Sequence, residues 1–350
     1  MLIIGCDLHT RYQQIAMLDR ETGELVERRL RHDNGEARAF YARLPEPAIV
    51  GIEATFSAPW FERLLAEFRH ELWVGDAARI RAQAVRAQKT DQRDAAHLLN
   101  LLDTDRFPRL WIPSPPQRDL RQLLRHRHKL VGMRTAVKNQ LQFLAMGQGI
   151  CRGRKLWNAP GRAELESLEL PPWTHRRCQE LLKMLDQLEA AIAPLDEAVA
   201  EEAELCPEAV RLMSHPGVGP VTALAFVLTL GPVERFRRSR QVVSYLGLNP
   251  REHSSGGRQR LGGISKQGNT TLRWLLVESA QTAARLDPEL QRAYQRLKFR
   301  RTASVAKVAI ARKLAVRLYW MLRQQIDYAQ LARMSGSPSR GVVPQAGSES

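Results

Sequence analysis

The chain has 350 residues, and its 53 lysines and arginines against 37 aspartates and glutamates give a formal net charge of +16. A positive field of this size attracts polyanions, among which nucleic acid is the commonest partner. A hydrophobic content of 44% suffices for folded cores. The composition therefore excludes a chain that is disordered throughout and favours a protein directed at nucleic acid.

The sequence also disfavours a membrane protein or a cysteine-based scaffold. No apolar run reaches the roughly 18 residues that a membrane-spanning helix needs, and the apolar first residues lack the basic flank of a signal peptide. The four cysteines form no CxxC pair, which disfavours a zinc ribbon or a disulfide framework. They are Cys6, Cys151, Cys178 and Cys206. We expect a cytoplasmic, nucleoid-associated protein without a membrane partner.

The first hundred residues predict an α/β domain. Short apolar runs predict five strands, at residues 2–6, 13–18, 24–30, 48–52 and 70–74. Helical patterns cover residues 35–44, 57–68 and 77–102. Three strands, a helix, a strand, a helix and a strand fit a mixed sheet, which we assign to a domain at residues 1–107.

Prolines at residues 108, 113, 115 and 116 mark a boundary, and the region that follows, residues 108–206, predicts paired helices. Its second half has an apolar seam with alternating steps of four and three residues. The seam consists of Leu181, Leu185, Leu188, Ile192, Leu195 and Val199. We expect a helical coiled-coil region whose helices pack antiparallel or against a partner subunit. An ordinary amphipathic helix in a compact bundle is the alternative.

The third region, residues 207–334, is predicted to be mostly α-helical, and the Ser-, Gly- and Pro-rich tail at 335–350 is predicted to be disordered. Residues 215–223 have the form of a helix-hairpin-helix turn. In such a turn Gly217 and Gly219 allow the backbone to turn sharply, and the amides of the next helix face a phosphate. A glycine-rich helix connection without a ligand is the alternative.

Four acidic residues occupy positions from which they could converge. Asp7 ends the first predicted strand and Glu53 the fourth, while Asp91 and Asp94 lie three residues apart on one helical face. Converging carboxylates repel one another unless a cation neutralises them. Oxygen ligands without cysteine favour Mg²⁺, with Mn²⁺ also possible. Asp7 could instead cap a turn, and the helical pair could form solvated ion pairs with neighbouring bases.

A serine-glycine loop in the third region carries a second candidate site. Arg258, Arg260, Lys266 and Arg273 surround it in sequence and could hold phosphate oxygens. A serine hydroxyl needs a base or a metal to activate it, and His253 is the one candidate base within the segment. From these residues alone, an anion-binding loop is the favoured interpretation.

Further basic residues are concentrated near the C-terminus. Residues 292–323 contain ten lysines or arginines and no acid, among them Arg300 and Arg301. A run this one-sided repels itself unless a polyanion is present. Binding of duplex DNA through it should weaken with salt, with a log–log slope of about −0.9 per phosphate contacted.

Three acidic segments resemble the motifs of the DEDD transposases, the insertion-sequence-110 family, which includes the Piv DNA invertase. They are IGCD at residues 4–7, GIEAT at 51–55 and KTDQRDA at 89–95. The resemblance implies a RuvC-like, RNase H-type first domain with Asp7, Glu53, Asp91 and Asp94 as its metal-binding tetrad. Cys6 departs from the small or aliphatic residue that often precedes the first aspartate.

The resemblance continues into the third region, which is similar to the C-terminal transposase domain of the family. There a Ser-Gly motif supplies a nucleophilic serine, and Ser255, which directly precedes Gly256, is our assignment. Ser254 is the alternate, and Ser265 comes third. The resemblance also implies a structured RNA, encoded by the element, that specifies donor and target DNA.

The sequence thus predicts a site-specific transposase or recombinase that acts on element ends and target DNA as a dimer or tetramer. Two other functions stay open. A RuvC-like endonuclease would need the four acids and use water as nucleophile. A noncatalytic nucleic-acid-binding protein would need neither the acids nor the serine.

Overall fold

The computed structural model describes residues 1–55, 58–84, 90–252 and 260–336. The chain divides into two compact units, Met1–Ile112 and Pro113–Ser350. The finer division at residues 107, 206 and 334 stays a prediction, and the predicted tail lies outside the described residues beyond 336. None of the helices in the described ranges combines the length and the apolarity that crossing a bilayer requires.

The first unit is built on a five-stranded mixed sheet, which confirms the predicted α/β architecture. Its order is β3-β2-β1-β4-β5. The first three strands pair antiparallel, and β4 and β5 run parallel to β1. The strands are β1 Leu2–Leu8, β2 Tyr12–Asp19, β3 Leu25–Arg31, β4 Ala48–Glu53 and β5 Glu71–Gly75.

Helices cover both faces of this sheet, so each strand alternates between two cores. The helices are α1 Glu36–Ala42, α2 Ala58–Glu67, α3 Ala77–Ala82 and α4 Asp91–Asp103. Ile4 and Cys6 pack with α1 and α2, whereas Ile3 packs with α3 and α4. Asp7 follows the parity of Ile3 and therefore lies on the α4 face.

Gly5 allows α4 to lie directly against β1. A Cβ atom at this position would stand 2.2 Å from the carbonyl oxygen of Ala95 and 2.3 Å from the amide nitrogen of Leu99. Both neighbours are helix backbone, which cannot rotate away as a side chain can. The absence of a side chain at Gly5 therefore sets the distance between the first turn of α4 and the end of β1.

The second unit is mostly helical, as predicted, with one small hairpin. Its helices are α5 Pro115–Gly147, α6 Ala159–Glu166, α7 Pro172–Glu204, α8 Pro207–Met213, α9 Pro220–Leu230, α10 Ser239–Tyr245, α11 Thr270–Leu286, α12 Pro288–Arg300, α13 Ala303–Arg323 and α14 Tyr328–Gly336. The hairpin strands are β6 Pro250–Glu252 and β7 Leu261–Ile264. The main core of this unit lies among α8, α9, α11 and α13.

The long helices α5 and α7 pack antiparallel along their lengths. Lys138 Nζ lies 2.8 Å from Glu189 Oε1, and Arg177 donates a hydrogen bond to Gln140 Oε1 at 3.0 Å. Helix α7 continues through Pro194. Of the predicted seam, all members are buried except the half-buried Leu195: Leu181, Leu185, Leu188, Ile192 and Val199.

Adding a methyl group at the α4–β1 contact should destabilise the first unit. We predict that Gly5→Ala lowers the free energy of unfolding by about 3 kcal/mol, because overpacking against fixed backbone forces the elements apart. Chemical denaturation of the full chain measures this loss. Gly132→Ala is the matched control, since nothing lies within 4 Å of its added Cβ. In the interior of α5 it should add roughly 0.5–1 kcal/mol, and equal effects from the two substitutions would contradict the close-contact argument.

Candidate functional site

The carboxyl ends of β1 and β4 bring the first two predicted acids to one edge of the sheet. The parallel register pairs Cys6 with Ile52, so Asp7 and Glu53 are the next residues along these neighbouring strands. Glu53 Oε1 accepts a hydrogen bond from Arg81 Nη2 at 3.1 Å.

The other two predicted acids lie in the first turn of α4. Thr90 caps this helix, and its hydroxyl accepts a hydrogen bond from the backbone amide of Arg93 at 3.4 Å. Asp91 and Asp94 therefore lie at the positive end of the helix dipole, where carboxylates are favoured. Because Gly5 admits the helix so closely, this turn faces the end of β1.

An acidic cluster of Asp7, His9 and Asp91 results. One ligand atom from each of the three residues lies within 4.8 Å of the others. His9 Nε2 is 3.0 Å from Asp7 Oδ2 and 3.6 Å from Asp91 Oδ1. The Tyr12 hydroxyl donates a hydrogen bond to Asp91 Oδ2 at 2.9 Å. The guanidinium of Arg29 stacks on the Tyr12 ring, 3.6 Å from its centroid.

The carboxylates of this cluster repel one another when all of them are ionised. Burial raises the pKa of Asp7 above its ordinary value; His9 opposes that shift, and the nearby charges of Asp94 and Asp91 reinforce it. The structure thus brings Asp7, Asp91 and Asp94 into mutual influence. Carboxylate oxygens with one imidazole form a donor set that fits a divalent cation, which would relieve the repulsion.

Sequence reasoning missed His9 and Tyr12. A signal for His9 was present, since residues two apart on a strand share a face and Asp7 lies on β1. Tyr12 had no such signal. Its contact with Asp91 depends on the turn between β1 and β2 and on where α4 packs, and neither can be obtained from local spacing.

The predicted helix-hairpin-helix turn is shaped by packing against α11. Gly217 has a φ of +85°, and a Cβ there would lie 2.6 Å from the amide nitrogen of Ala283 and 2.8 Å from the carbonyl oxygen of Ser279. Gly219 precedes α9 and has open space around it. Contact of either glycine with nucleic acid stays a prediction.

His215, at the start of this turn, is buried. Its Nδ1 donates a hydrogen bond to the carbonyl oxygen of Pro216 at 2.9 Å, while its Nε2 has no partner among the described residues. Burial lowers the pKa of His215 to about 4. The imidazole is therefore neutral at pH 7.

The predicted serine-glycine loop lies largely outside the described residues, which leaves Ser254, Ser255 and Arg258 without a structural account. The segments that precede and follow the loop are in close contact. A Cβ on Gly247 would lie 2.1 Å from the carbonyl oxygen of Gln267, and one on Gly268 would lie 2.1 Å from that of Tyr245.

The remaining predicted nucleic-acid contacts differ in exposure. Arg260, Lys266, Arg300 and Arg301 are exposed, and their contacts stay predictions. Arg273 is buried and donates hydrogen bonds to the carbonyl oxygens of residues 246 and 267 and to the hydroxyl of residue 270. This placement gives Arg273 a structural task that its sequence position did not indicate, and a phosphate contact by it also stays a prediction.

Comparison with known proteins identifies the family. Residues 4–145 match a family model for DEDD transposases of the IS110 type, and residues 209–295 match the model described as the transposase IS116/IS110/IS902 family. A probable family 20 transposase of Pseudomonas aeruginosa is 33% identical over 335 residues, which cover 93% of this chain and 98% of the relative. The chain belongs to the IS110 family of transposases.

Two further relatives of this transposase carry insertion-sequence names. The transposase for IS1111A of Coxiella burnetii is 32% identical over 252 residues, 70% of this chain and 69% of that protein. The transposase for IS1328 of Yersinia enterocolitica is 28% identical over 337 residues, 92% of this chain and 97% of that protein. Membership in this family implies that the chain binds DNA.

Removing one charge from the acidic cluster should stabilise the protein when no divalent cation is present. The pKa of Asp7 is higher in the folded than in the unfolded chain, so its ionised form opposes folding at neutral pH. We predict that Asp7→Asn raises the free energy of unfolding by about 1 kcal/mol in EDTA, measured by denaturation at pH 7.

The control for this measurement is an aspartate whose pKa is shifted in the opposite direction, below its ordinary value. A hydrogen bond from Arg31 lowers the pKa of the exposed Asp33, so Asp33→Asn should bring no gain. Adding Mg²⁺ should stabilise the unaltered protein and leave Asp7→Asn nearly unchanged. A destabilised Asp7→Asn variant in EDTA would contradict the repulsion argument.

The second pH-dependent prediction concerns His215. Its pKa of about 4 in the fold lies below the ordinary histidine value of 6.5, so protons bind the unfolded chain more readily. Stability should fall as the pH drops from about 6.5 to 4, by on the order of 3 kcal/mol from this residue. Denaturation of His215→Gln across that range should show a shallower loss, and parallel curves for the two proteins would contradict the assignment.

Proposed function

We propose that this transposase cuts and rejoins DNA at a metal centre held by Asp7, Glu53, Asp91 and Asp94, with Ser255 as its nucleophile and Ser254 as the alternate. The observation that carries the proposal is the acidic cluster, in which ligand atoms of Asp7 and Asp91 come within 4.8 Å of each other at one edge of the sheet. These acids belong to three separate segments of the chain.

The topology of the first unit supports a RuvC-like, RNase H-type fold. An antiparallel β1–β2–β3 meander continues into β4 and β5, which run parallel to β1. In this arrangement the ends of β1 and β4 are adjacent, and a helix packed across them supplies the remaining acids. The fold therefore provides a rigid platform for carboxylates that local chain geometry could not gather.

Mg²⁺, or Mn²⁺ in its place, is the cation we propose. Hard carboxylate oxygens suit both ions. When bound, such an ion supplies Lewis-acid stabilisation to charge that develops on phosphate oxygens. The chain contributes orientation: His9 holds the Asp7 carboxylate, and the Tyr12 hydroxyl fixes that of Asp91. The Arg81 guanidinium restrains Glu53 in the same way.

In the proposed reaction the serine hydroxyl oxygen attacks phosphorus, and the bond from phosphorus to a deoxyribose oxygen breaks. The DNA strand becomes esterified to the serine while the leaving oxygen gains a proton. This covalent link conserves the energy of the phosphodiester for rejoining. A water nucleophile in place of the serine would give the endonuclease alternative, with no link to the protein.

The basic surface of the second unit supports a nucleic-acid partner beyond the cleaved strand, and we propose a structured RNA encoded by the element. Arg300 and Arg301 are exposed between α12 and α13, and Phe299 beside them is 93% exposed. An exposed aromatic ring flanked by cations is suited to stacking on an unpaired base while the cations hold phosphates.

Recombination must hold two duplexes, so we propose a dimer or tetramer assembled through the α5–α7 pair, acting as a coiled-coil region. Large apolar side chains are exposed where α5 ends and α7 begins. Phe143 is 73% exposed, Trp173 79% and Met146 54%. Large exposed apolar side chains on a helix pair favour burial against another copy.

The experiment that tests the proposal is incubation of the full chain with element-end DNA, the adjacent transcript and Mg²⁺. A protein–DNA adduct should appear on a denaturing gel, and mass spectrometry should map it to Ser255 or Ser254. Asp7→Asn should reduce strand cleavage by roughly a thousandfold, since losing a ligand forfeits several kcal/mol of charge stabilisation.

The serine has its own control. The Ser254→Ala, Ser255→Ala double variant should lose the adduct and the cleavage, whereas Ser167→Ala at the end of α6 should retain both. Undiminished cleavage by the double variant, with 5′-phosphate and 3′-hydroxyl ends, would refute the serine and favour the endonuclease. If neither Mg²⁺ nor the Asp7→Asn substitution changed the products formed from any DNA substrate, the chain would be a noncatalytic nucleic-acid-binding protein.

A further inference from the structure

The first unit has a basic groove beside the acidic cluster, where β2 begins and β3 ends. Tyr12 lines this groove, and its hydroxyl donates the 2.9 Å hydrogen bond to Asp91, so the groove and the acidic cluster share this residue. Three arginines also line the groove: Arg11, Arg29 and Arg31. The proposed chemistry gives none of these arginines a role.

The pairing of the strands places Arg29 in line with the acidic cluster. Asp7 on β1 pairs with Gln14 on β2, and Gln14 pairs in turn with Arg29 on β3. Directly paired residues share one face of a sheet, so these three residues form a row on the α4 face. Neighbouring strands lie about 4.8 Å apart, and the two ends of the row are therefore roughly 10 Å apart.

Stacking on Tyr12 holds the Arg29 side chain in place. Arg29 is exposed, and its guanidinium lies 3.6 Å from the centroid of the Tyr12 ring. A guanidinium stacks through its flat face, whereas its five N–H donors lie in its own plane and point away from the ring. Two parallel N–H donors match the oxygens of a phosphate. The stacked Arg29 is thus oriented and still presents donors to an anion in the groove.

The carboxylates that line the groove are both bound at Arg31. Arg31 Nη2 lies 2.8 Å from Asp33 Oδ2, and the backbone amide of Arg31 donates a hydrogen bond to Glu36 Oε2 at 3.1 Å. Among the described lining residues, three arginines against these two carboxylates leave a net positive charge, on the side of Arg11 and Arg29. A basic groove and an acidic cluster therefore lie side by side at the same edge of the sheet.

We propose that this groove binds a backbone phosphate of the DNA strand that is cut, with Arg29 and Arg11 holding the phosphate. The inference rests on the proposed function, because it takes the acidic cluster as the place of the cleaved phosphate. Nucleotides rise about 3.4 Å along one strand of a duplex, so the roughly 10 Å between the ends of the row puts the bound phosphate within about three nucleotides of the cut. Holding this neighbouring phosphate positions the scissile bond at the carboxylates.

The test measures how tightly the full chain, with the adjacent transcript, binds fluorescently labelled element-end DNA. Ca²⁺, another hard cation that carboxylates bind, replaces Mg²⁺, so that binding is read without cleavage. Arg29→Gln should weaken the affinity about threefold to fivefold, the size of an exposed charge pair. It should also reduce the slope of log affinity against log salt by about 0.9, because one phosphate contact on duplex DNA is lost. Fluorescence anisotropy across a range of salt concentrations measures both quantities.

Arg28→Gln is the matched control, since it removes the same charge from the neighbouring position of β3. Arg28 is exposed and pairs with Ile15, which packs with α1 and α2 on the opposite face of the sheet. This variant should leave the affinity and the salt slope unchanged, and Arg29→Lys, which keeps the charge, should retain the slope. Equal losses from Arg28→Gln and Arg29→Gln would overturn the proposal, because net charge alone would then account for binding.

Neutral methylphosphonate linkages, placed one at a time along the DNA strand, locate the contact. In the unaltered protein, one linkage within about three nucleotides of the cut should weaken binding about threefold to fivefold. In Arg29→Gln the same linkage should have no further effect, since its partner is already gone. A scan of the unaltered protein without a sensitive DNA linkage, or with sensitivity only in the transcript, would overturn the proposal even if Arg29→Gln did not fold.

These measurements read binding alone, so their failure can be told apart from failure of the proposed function. A chain that shows the Arg29 contact but forms no adduct and cuts no DNA would refute the cleavage chemistry. A chain that cuts DNA with an unchanged salt slope in Arg29→Gln would refute only the phosphate contact in the groove.

Discussion

The approach of α4 to β1 across Gly5 is the constraint on which the first unit depends. Backbone atoms of Ala95 and Leu99 occupy the space that any side chain at Gly5 would need. The apolar residues of α4, such as Leu98 and Leu101, are buried against the sheet, and their burial offsets the cost of gathering carboxylates at the end of β1. Hydrophobic packing thus holds like charges together that would otherwise separate.

Similar close contacts shape the second unit, where they organise loops. Gly217 brings its turn against the backbone of α11, while Gly247 and Gly268 bring together the segments on either side of the serine-glycine loop. Arg273 secures the same segments from within by binding their carbonyl oxygens. Gly217, which the sequence assigns to a phosphate-facing turn, therefore has a packing reason of its own, and this reason holds whether or not a phosphate binds.

Periodicity predicted the α/β sheet and the helical second unit well, because alternation and apolar runs are local properties of the chain. The predicted strand ends also placed Asp7 beside Glu53. Local sequence patterns contained less information about contacts between segments that are distant in the chain. The Tyr12–Asp91 hydrogen bond joins residues 79 positions apart, and the burial of Arg273 depends on how two loops fold together. A basic residue in sequence looks the same whether it faces solvent or holds a carbonyl group.

A cluster of carboxylates is an unfavourable place for a phosphodiester, since both are negative. Two separate devices can offset this repulsion. A divalent cation acts at the carboxylates themselves, over a few ångströms, and salt screens it little because the site is partly buried. The net charge of +16 acts over the whole surface and is screened within about 10 Å at ordinary ionic strength. In the proposed chemistry, the first device determines whether a bound strand can react, and the second determines how readily a strand arrives. A protein of this composition can therefore gather acids at one edge of a sheet and still attract DNA, because the long-range attraction comes from charges elsewhere on the chain.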